Sequence, residues 1–125
     1  MSYNFTLPVY GVYKSGAASL NVYRNAHYHK NNQAKKKFKS IIHDQLIKFD
    51  PINGRIRMKY TYFAKRKDSD LSNICAVVIK FMEDSMVEYG LIPDDNISII
   101  VGIKQEFGGM DKENPRVECE ITLVD

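Results

Sequence analysis

Cysteine is scarce in this chain: its 125 residues include only Cys75 and Cys119, each inside an apolar, periodic segment. A disulfide between them would need an oxidising compartment, and nothing in the sequence argues for one, so two reduced core thiols are expected. Long hydrophobic runs are missing too. No stretch approaches the ~18–20 apolar residues of a membrane helix. The opening MSYNFTLPVYGVYK has no basic start followed by a long apolar run, as a signal peptide would. The expectation is a soluble, cytoplasmic protein with no membrane partner. There is no internal repeat and no linker, and the length suits one domain over 1–125. Acids are rare in the first half. Residues 1–67 carry 14 Lys+Arg against Asp44 and Asp50 alone, a net of +12, while residues 68–125 carry 4 against 13, a net of −9; together they make the overall +3. A basic half suits a polyanion and an acidic half suits cations, and an enzyme that cuts a phosphodiester with a metal needs both. The same asymmetry arises if the halves simply pair on the surface, and charge alone does not separate these readings.

Periodicity is plentiful. Tyr3 to Val9 alternates apolar and polar residues, which predicts a first strand ended by Pro8. Tyr10 to Asn31 has no clean period and reads as a long loop, functional or mobile, with room for one short helical turn. Asn32 to Phe49 has Phe38, Ile41, Ile42, Leu46 and Phe49 at helical spacing, with Asn32 as its expected N-cap and Asp50-Pro51 as its end. Arg55 to Phe63 alternates almost perfectly, predicting a half-buried strand with Arg55, Arg57, Lys59 and Thr61 on a basic outer face. A second helix is expected from Leu71 to Tyr89, N-capped by Ser72 and stopped by Gly90. Ile97–Phe107 and Arg116–Val124 read as two more strands, with Gly108-Gly109 and Asn114-Pro115 bracketing their connection. The predicted class is α+β: strand-helix-strand-helix-strand-strand, with two helices packed on a mixed, mostly antiparallel sheet.

Carboxylates gather on both sides of the second helix, as Asp68-Ser69-Asp70 before it and Asp94-Asp95 after it. Magnesium takes oxygen ligands, stabilises charge on phosphoryl oxygens and can activate an attacking water. Grouped carboxylates repel one another without such an ion. Each segment taken alone also fits a turn or a cap. A helix of about 19 residues is roughly 28 Å long, so the segments meet only if the chain folds back. The expected route is the following strand pairing beside the loop at Lys67. On a helical wheel Asn73, Lys80 and Asp84 share one narrow polar stripe that begins beside Asp70. Lys80 there suits either contact with a scissile phosphate or a plain i,i+4 pair with Asp84.

Read together, Asp70-Leu71-Ser72-Asn73, Lys80, Asp84, Gly90 and Pro93-Asp94-Asp95-Asn96 resemble the RusA-like Holliday junction resolvases. The earlier strand ending in Pro, then Asn21, Tyr23 and Arg24, then a basic helix, are similar too, so the likeness runs from about Phe5 to Leu123. The resemblance implies a homodimer that makes paired, metal-dependent nicks in four-way DNA junctions, using magnesium, with manganese as a substitute. It also suggests a phage source. It implies that Asp70 and Asp95 are the essential acids and hold the magnesium, helped by Asp94, that Lys80 is the catalytic helix lysine, and that Asn73 and Asp84 are supporting residues. Ser72 stands where the family has a second Asp. Either its hydroxyl or a bound water serves, or Asp68 supplies the missing metal ligand. Asn21, Arg24, Lys35, Lys36, Lys37, Lys65, Arg66 and Lys67 form the expected DNA track, since such residues give affinity without reading sequence. The same lysines also fit a solvated helix face. His27 and His29 lack further ligands at zinc spacing. Tyr23 and Tyr28 can stack on bases or pin the loop to the core. The rival reading, favoured by Ser72, is a non-catalytic protein that binds branched DNA.

Overall fold

The computed structural model describes residues 2–124. Four strands and three helices follow one another as β1 (Ser2–Pro8), α1 (Leu20–Asn25), α2 (Tyr28–Leu46), β2 (Ile56–Ala64), α3 (Leu71–Tyr89), β3 (Ile100–Met110) and β4 (Arg116–Leu123). The sheet order is β1-β4-β2-β3. β4 runs antiparallel to both β1 and β2, whereas β2 and β3 are parallel. The predicted α+β layout is therefore present, with α1 as an added helix. The parallel pair makes β2-α3-β3 a crossover unit, because parallel neighbours need a long connection over one face of the sheet.

The alternation in β2 decides which face is covered. Ile56, Met58, Tyr60, Tyr62 and Ala64 are buried, and across β4 the same face carries Val117, Cys119 and Ile121. Helix α2 lays Ala34, Phe38, Ile42 and Leu46 on this face, and α3 adds Ile74, Cys75, Val78, Phe81, Met82 and Met86. Both cysteines are buried and free. The opposite face is open. Its expected basic character is offset at Lys59, which lies 3.6 Å from Glu106 of β3 and opposite Glu120 of β4.

Several boundaries differ from expectation for local reasons. Helix α2 starts at Tyr28 with His27 as N-cap, not at Asn32, because its first turn is mostly exposed and gives no apolar period before Ala34. The segment before it is no free loop. Val12, Tyr13 and Ala18 are buried, and the Ala18 N–H donates to the Val9 carbonyl at 2.7 Å. Strand β3 begins at Ile100, not Ile97, because the Asn96 carbonyl accepts from the Ile99 and Ile100 N–H groups and closes a turn. Gly108 and Gly109 lie inside β3 rather than bracketing a loop. The register slips there, and a Cβ on Gly108 would come within 2.7 Å of both Thr61 Cγ2 and Phe63 Cζ. Among the described residues no helix is long and apolar enough to cross a membrane.

Candidate functional site

The two acidic segments are built by the two ends of the crossover unit. At the upper end, the chain leaves β2 at Ala64 and turns before α3. The Ser69 N–H donates to the Arg66 carbonyl at 3.2 Å, and Ser69 Oγ sits 2.7 Å from the hydroxyl of buried Tyr62. This turn presents Asp70 as the N-cap of α3, correcting the expectation of Ser72. Asp70 Oδ1 accepts from the Ser72 N–H (3.1 Å), the Ser72 hydroxyl (3.0 Å) and the Asn73 N–H (3.3 Å). Ser72 is thus tied to Asp70, while Asp70 Oδ2 has no hydrogen-bond partner among the described residues. Asp68 is gripped by both Nε and Nη2 of Arg66, at 3.1 and 2.9 Å.

At the lower end, Gly90 takes a left-handed conformation (φ 87°) and stops α3, as only a residue without Cβ does readily. Leu91 and Ile92 dive into the core. Asp94 then organises an exposed turn, accepting from the Asp95 N–H at 2.7 Å and from Asn96 Nδ2 at 3.0 Å. The Asp95 carboxylate has no hydrogen-bond or ion-pair partner among the described residues.

These ends do not meet within one copy. Helix α3 has 19 residues, roughly 28 Å of length. Asp95 acts electrostatically on Glu83, which is thirteen residues beyond Asp70 and so roughly 20 Å along the axis. The expected return of the Asp94-Asp95 corner to Lys67 does not occur, because β3 is parallel to β2. It starts beside Ile56 and reaches the Asp70 end only with Asp111, whose N–H donates to the Ala64 carbonyl at 2.7 Å. Asp111 is itself held by Arg116 at 2.9 Å. Among the described residues no three His, Cys, Asp or Glu side chains are grouped to hold a metal ion.

Glu83 is the acid that the sequence reading missed. Its Oε2 is buried without a hydrogen-bond partner. Burial first, then the charges of Asp95 and Asp84, opposed by Lys80, push its carboxyl from 4.5 up to about 7. The only hint in the sequence is its place between buried Met82 and Ser85 and charged Asp84.

The polar stripe on α3 exists, but as an ion-pair network. Lys80 is half-exposed with Nζ 3.9 Å from Asp84, and Asp84 is also 3.6 Å from Lys35. Lys35 and Lys39 both reach Glu88, at 3.6 and 3.3 Å, so part of the basic half does pair with the acidic half. Lys65 lies over the Tyr10 ring at 5.2 Å. Asn21, Arg24, Lys36, Lys37 and Lys67 are exposed and, among the described residues, carry no ion pair. Tyr23 packs edge-on against Phe81 and so pins its segment to the core, helped by Asn31, which bonds the Tyr13 hydroxyl and the Tyr23 carbonyl. Tyr28 instead projects, 62% exposed, and its ring is tilted against both His27 (4.6 Å) and His29 (4.0 Å), which themselves stack at 4.9 Å. Compared with known proteins, the chain matches no protein-family model and no curated protein.

Proposed function

We propose that this chain is a RusA-like, magnesium-dependent endonuclease for branched DNA, four-way junctions above all, acting as a homodimer in the cytoplasm. The observation that carries this reading is the state of Asp70 and Asp95. Each is exposed on a turn, each keeps carboxylate oxygen free of partners among the described residues, and Lys67, without an ion pair among those residues, stands three residues before Asp70. Free carboxylate oxygens suit a hard metal ion, and exposed cations suit phosphate. Lys36 and Lys37 on α2, with Arg24 and projecting Tyr28, supply a track for phosphates and an exposed base.

A magnesium site does not fit a single copy. Asp68 is taken up by Arg66, Asp94 by its own turn, and Asp70 and Asp95 are too far apart to share one ion. The rival, a non-catalytic protein that binds branched DNA, draws on the same fact and on Ser72 standing where a second acid would be.

One experiment separates the two. Wild-type protein is incubated with an end-labelled four-way junction and magnesium or manganese, beside Asp70→Asn and Asp95→Asn proteins. Paired nicks from wild type, with binding but no cutting by both variants, support the nuclease. Binding without product under either metal supports the rival.

A further inference from the structure

We propose that the groove between the outer flank of α2 and the C-terminal half of α3 binds phosphates of a DNA backbone, and that Glu88 and Asp84 stand in for those phosphates until DNA displaces them. The groove is lined by Lys36, Lys39, Ser40, His43, Asp44 and Glu88. Lys36, Lys39, Ser40 and His43 recur at three- and four-residue steps, so they form one row along α2. From Lys36 to His43 the row runs about 10 Å, enough for two neighbouring phosphates of one strand. Each member suits a phosphate oxygen: two ammonium groups, a hydroxyl and an imidazole N–H. The His43 ring packs edge-on against Tyr89 of α3 at 5.9 Å, which limits its rotation. Lys39, Ser40 and His43 lie outside the track described above, and Lys37 of that track points about 100° away from Lys36.

Part of this row is already taken by carboxylates. Lys39 Nζ lies 3.3 Å from Glu88 Oε2. Lys35, one turn earlier on α2, lies 3.6 Å from both Glu88 Oε1 and Asp84 Oδ2. Lys36 carries no ion pair among the described residues. Residues 1–67 contain no acid besides Asp44 and Asp50. Asp44 sits about 40° beyond Ser40, on the side away from α3, so the acids on the lysines come from α3. A carboxylate offers a lysine the same anionic oxygens as a phosphate does. These pairs are not what joins the helices, because Phe38 and Phe81 meet between them at 5.7 Å. Ion pairs this exposed are weak. A strand offering several phosphates at once displaces them, whereas a single small anion gains too little. Binding is then weaker, and less dependent on salt, than the number of cations implies. The choice of DNA as ligand rests on the nucleic-acid part of the proposed function; it needs neither the metal nor the cutting.

Fluorescence anisotropy of a labelled four-way junction, without divalent metal, compares wild type with Asp84→Asn/Glu88→Gln protein. The variant should bind about three- to ten-fold tighter at low salt, with a log-log salt slope steeper by about one to two. An Asp50→Asn/Glu120→Gln control makes the same change in net charge and should stay within about twofold of wild type. In a Lys35→Ala/Lys39→Ala background the gain should vanish. Unchanged or weaker binding, an equal gain in the control, or a gain that survives loss of both lysines overturns the role of the acids. Proton–nitrogen NMR of the wild type, titrated with a short DNA duplex and separately with inorganic polyphosphate, locates the site. Amide shifts gathered on Lys36, Lys39, Ser40 and His43 support the groove. Junction binding with shifts confined to other residues overturns the groove alone. Groove shifts with polyphosphate but no binding of either DNA overturn DNA as the ligand, and the nucleic-acid reading with it.

Discussion

Replacing Glu83 by glutamine tests the electrostatics of α3 directly. The fold raises this carboxyl from 4.5 to about 7, by burial and by the charges of Asp95 and Asp84. Between those values the folded protein binds more protons at this site than the unfolded chain does. Stability therefore falls as pH rises from near 4.5 to near 7, and the deficit stays constant above that. Fully felt, the shift corresponds to on the order of 3 kcal/mol; partial exposure of Glu83 screens it to about 1–2 kcal/mol. Glutamine keeps the shape, can donate a hydrogen bond, and carries no charge at any pH. Urea unfolding of the Glu83→Gln protein and its parent should thus agree within error at pH 4.5 and diverge by about 1–2 kcal/mol in favour of glutamine at pH 8. A difference that does not change with pH, or a glutamine variant less stable at pH 8, would refute the argument.

Three further outcomes follow from particular contacts. Asp70→Ala removes the N-cap of α3 and should cost about 1 kcal/mol, whereas Asp70→Asn should stay within a few tenths, measured by urea unfolding; the asparagine variant is thus the clean probe of chemistry. Lys36→Glu with Lys37→Glu should weaken junction binding and flatten its log-log salt dependence by about two, read by fluorescence anisotropy across a salt series. Gly108→Ala should lose about 1–3 kcal/mol by thermal or urea unfolding, because the new methyl meets Thr61 and a Phe63 ring held under Arg116 at 4.1 Å.

How much was legible in advance depended on whether a residue's partner lay nearby in the chain. Helix α3 and strand β2 could be read almost to the residue, since the 3.6-residue stripe from Ile74 to Met86 and the two-residue alternation from Ile56 to Tyr62 are local patterns, and Gly90 marks its own stop. The start of α2 could not, because its first turn buries nothing. For the short helix α1 only room for a helical turn could be read, not its place, because its six residues are too few to carry a period. The pairing of Lys35 with Asp84 and Glu88, the burial of Glu83 and the exposure of Phe107 all depend on which element lies alongside, which no local pattern encodes.

The acids divide along the same line. Composition and spacing alone picked out Asp68, Asp70, Asp94 and Asp95 and placed them at the two ends of one helix. Only the tertiary structure decided that those ends stay apart within a copy. A chain that leaves a helix can enter the next strand in either direction, and the choice is made by sheet pairing. Because β3 lies parallel to β2, it starts at the far end of α3 and carries Asp111, not Asp95, back beside Asp70.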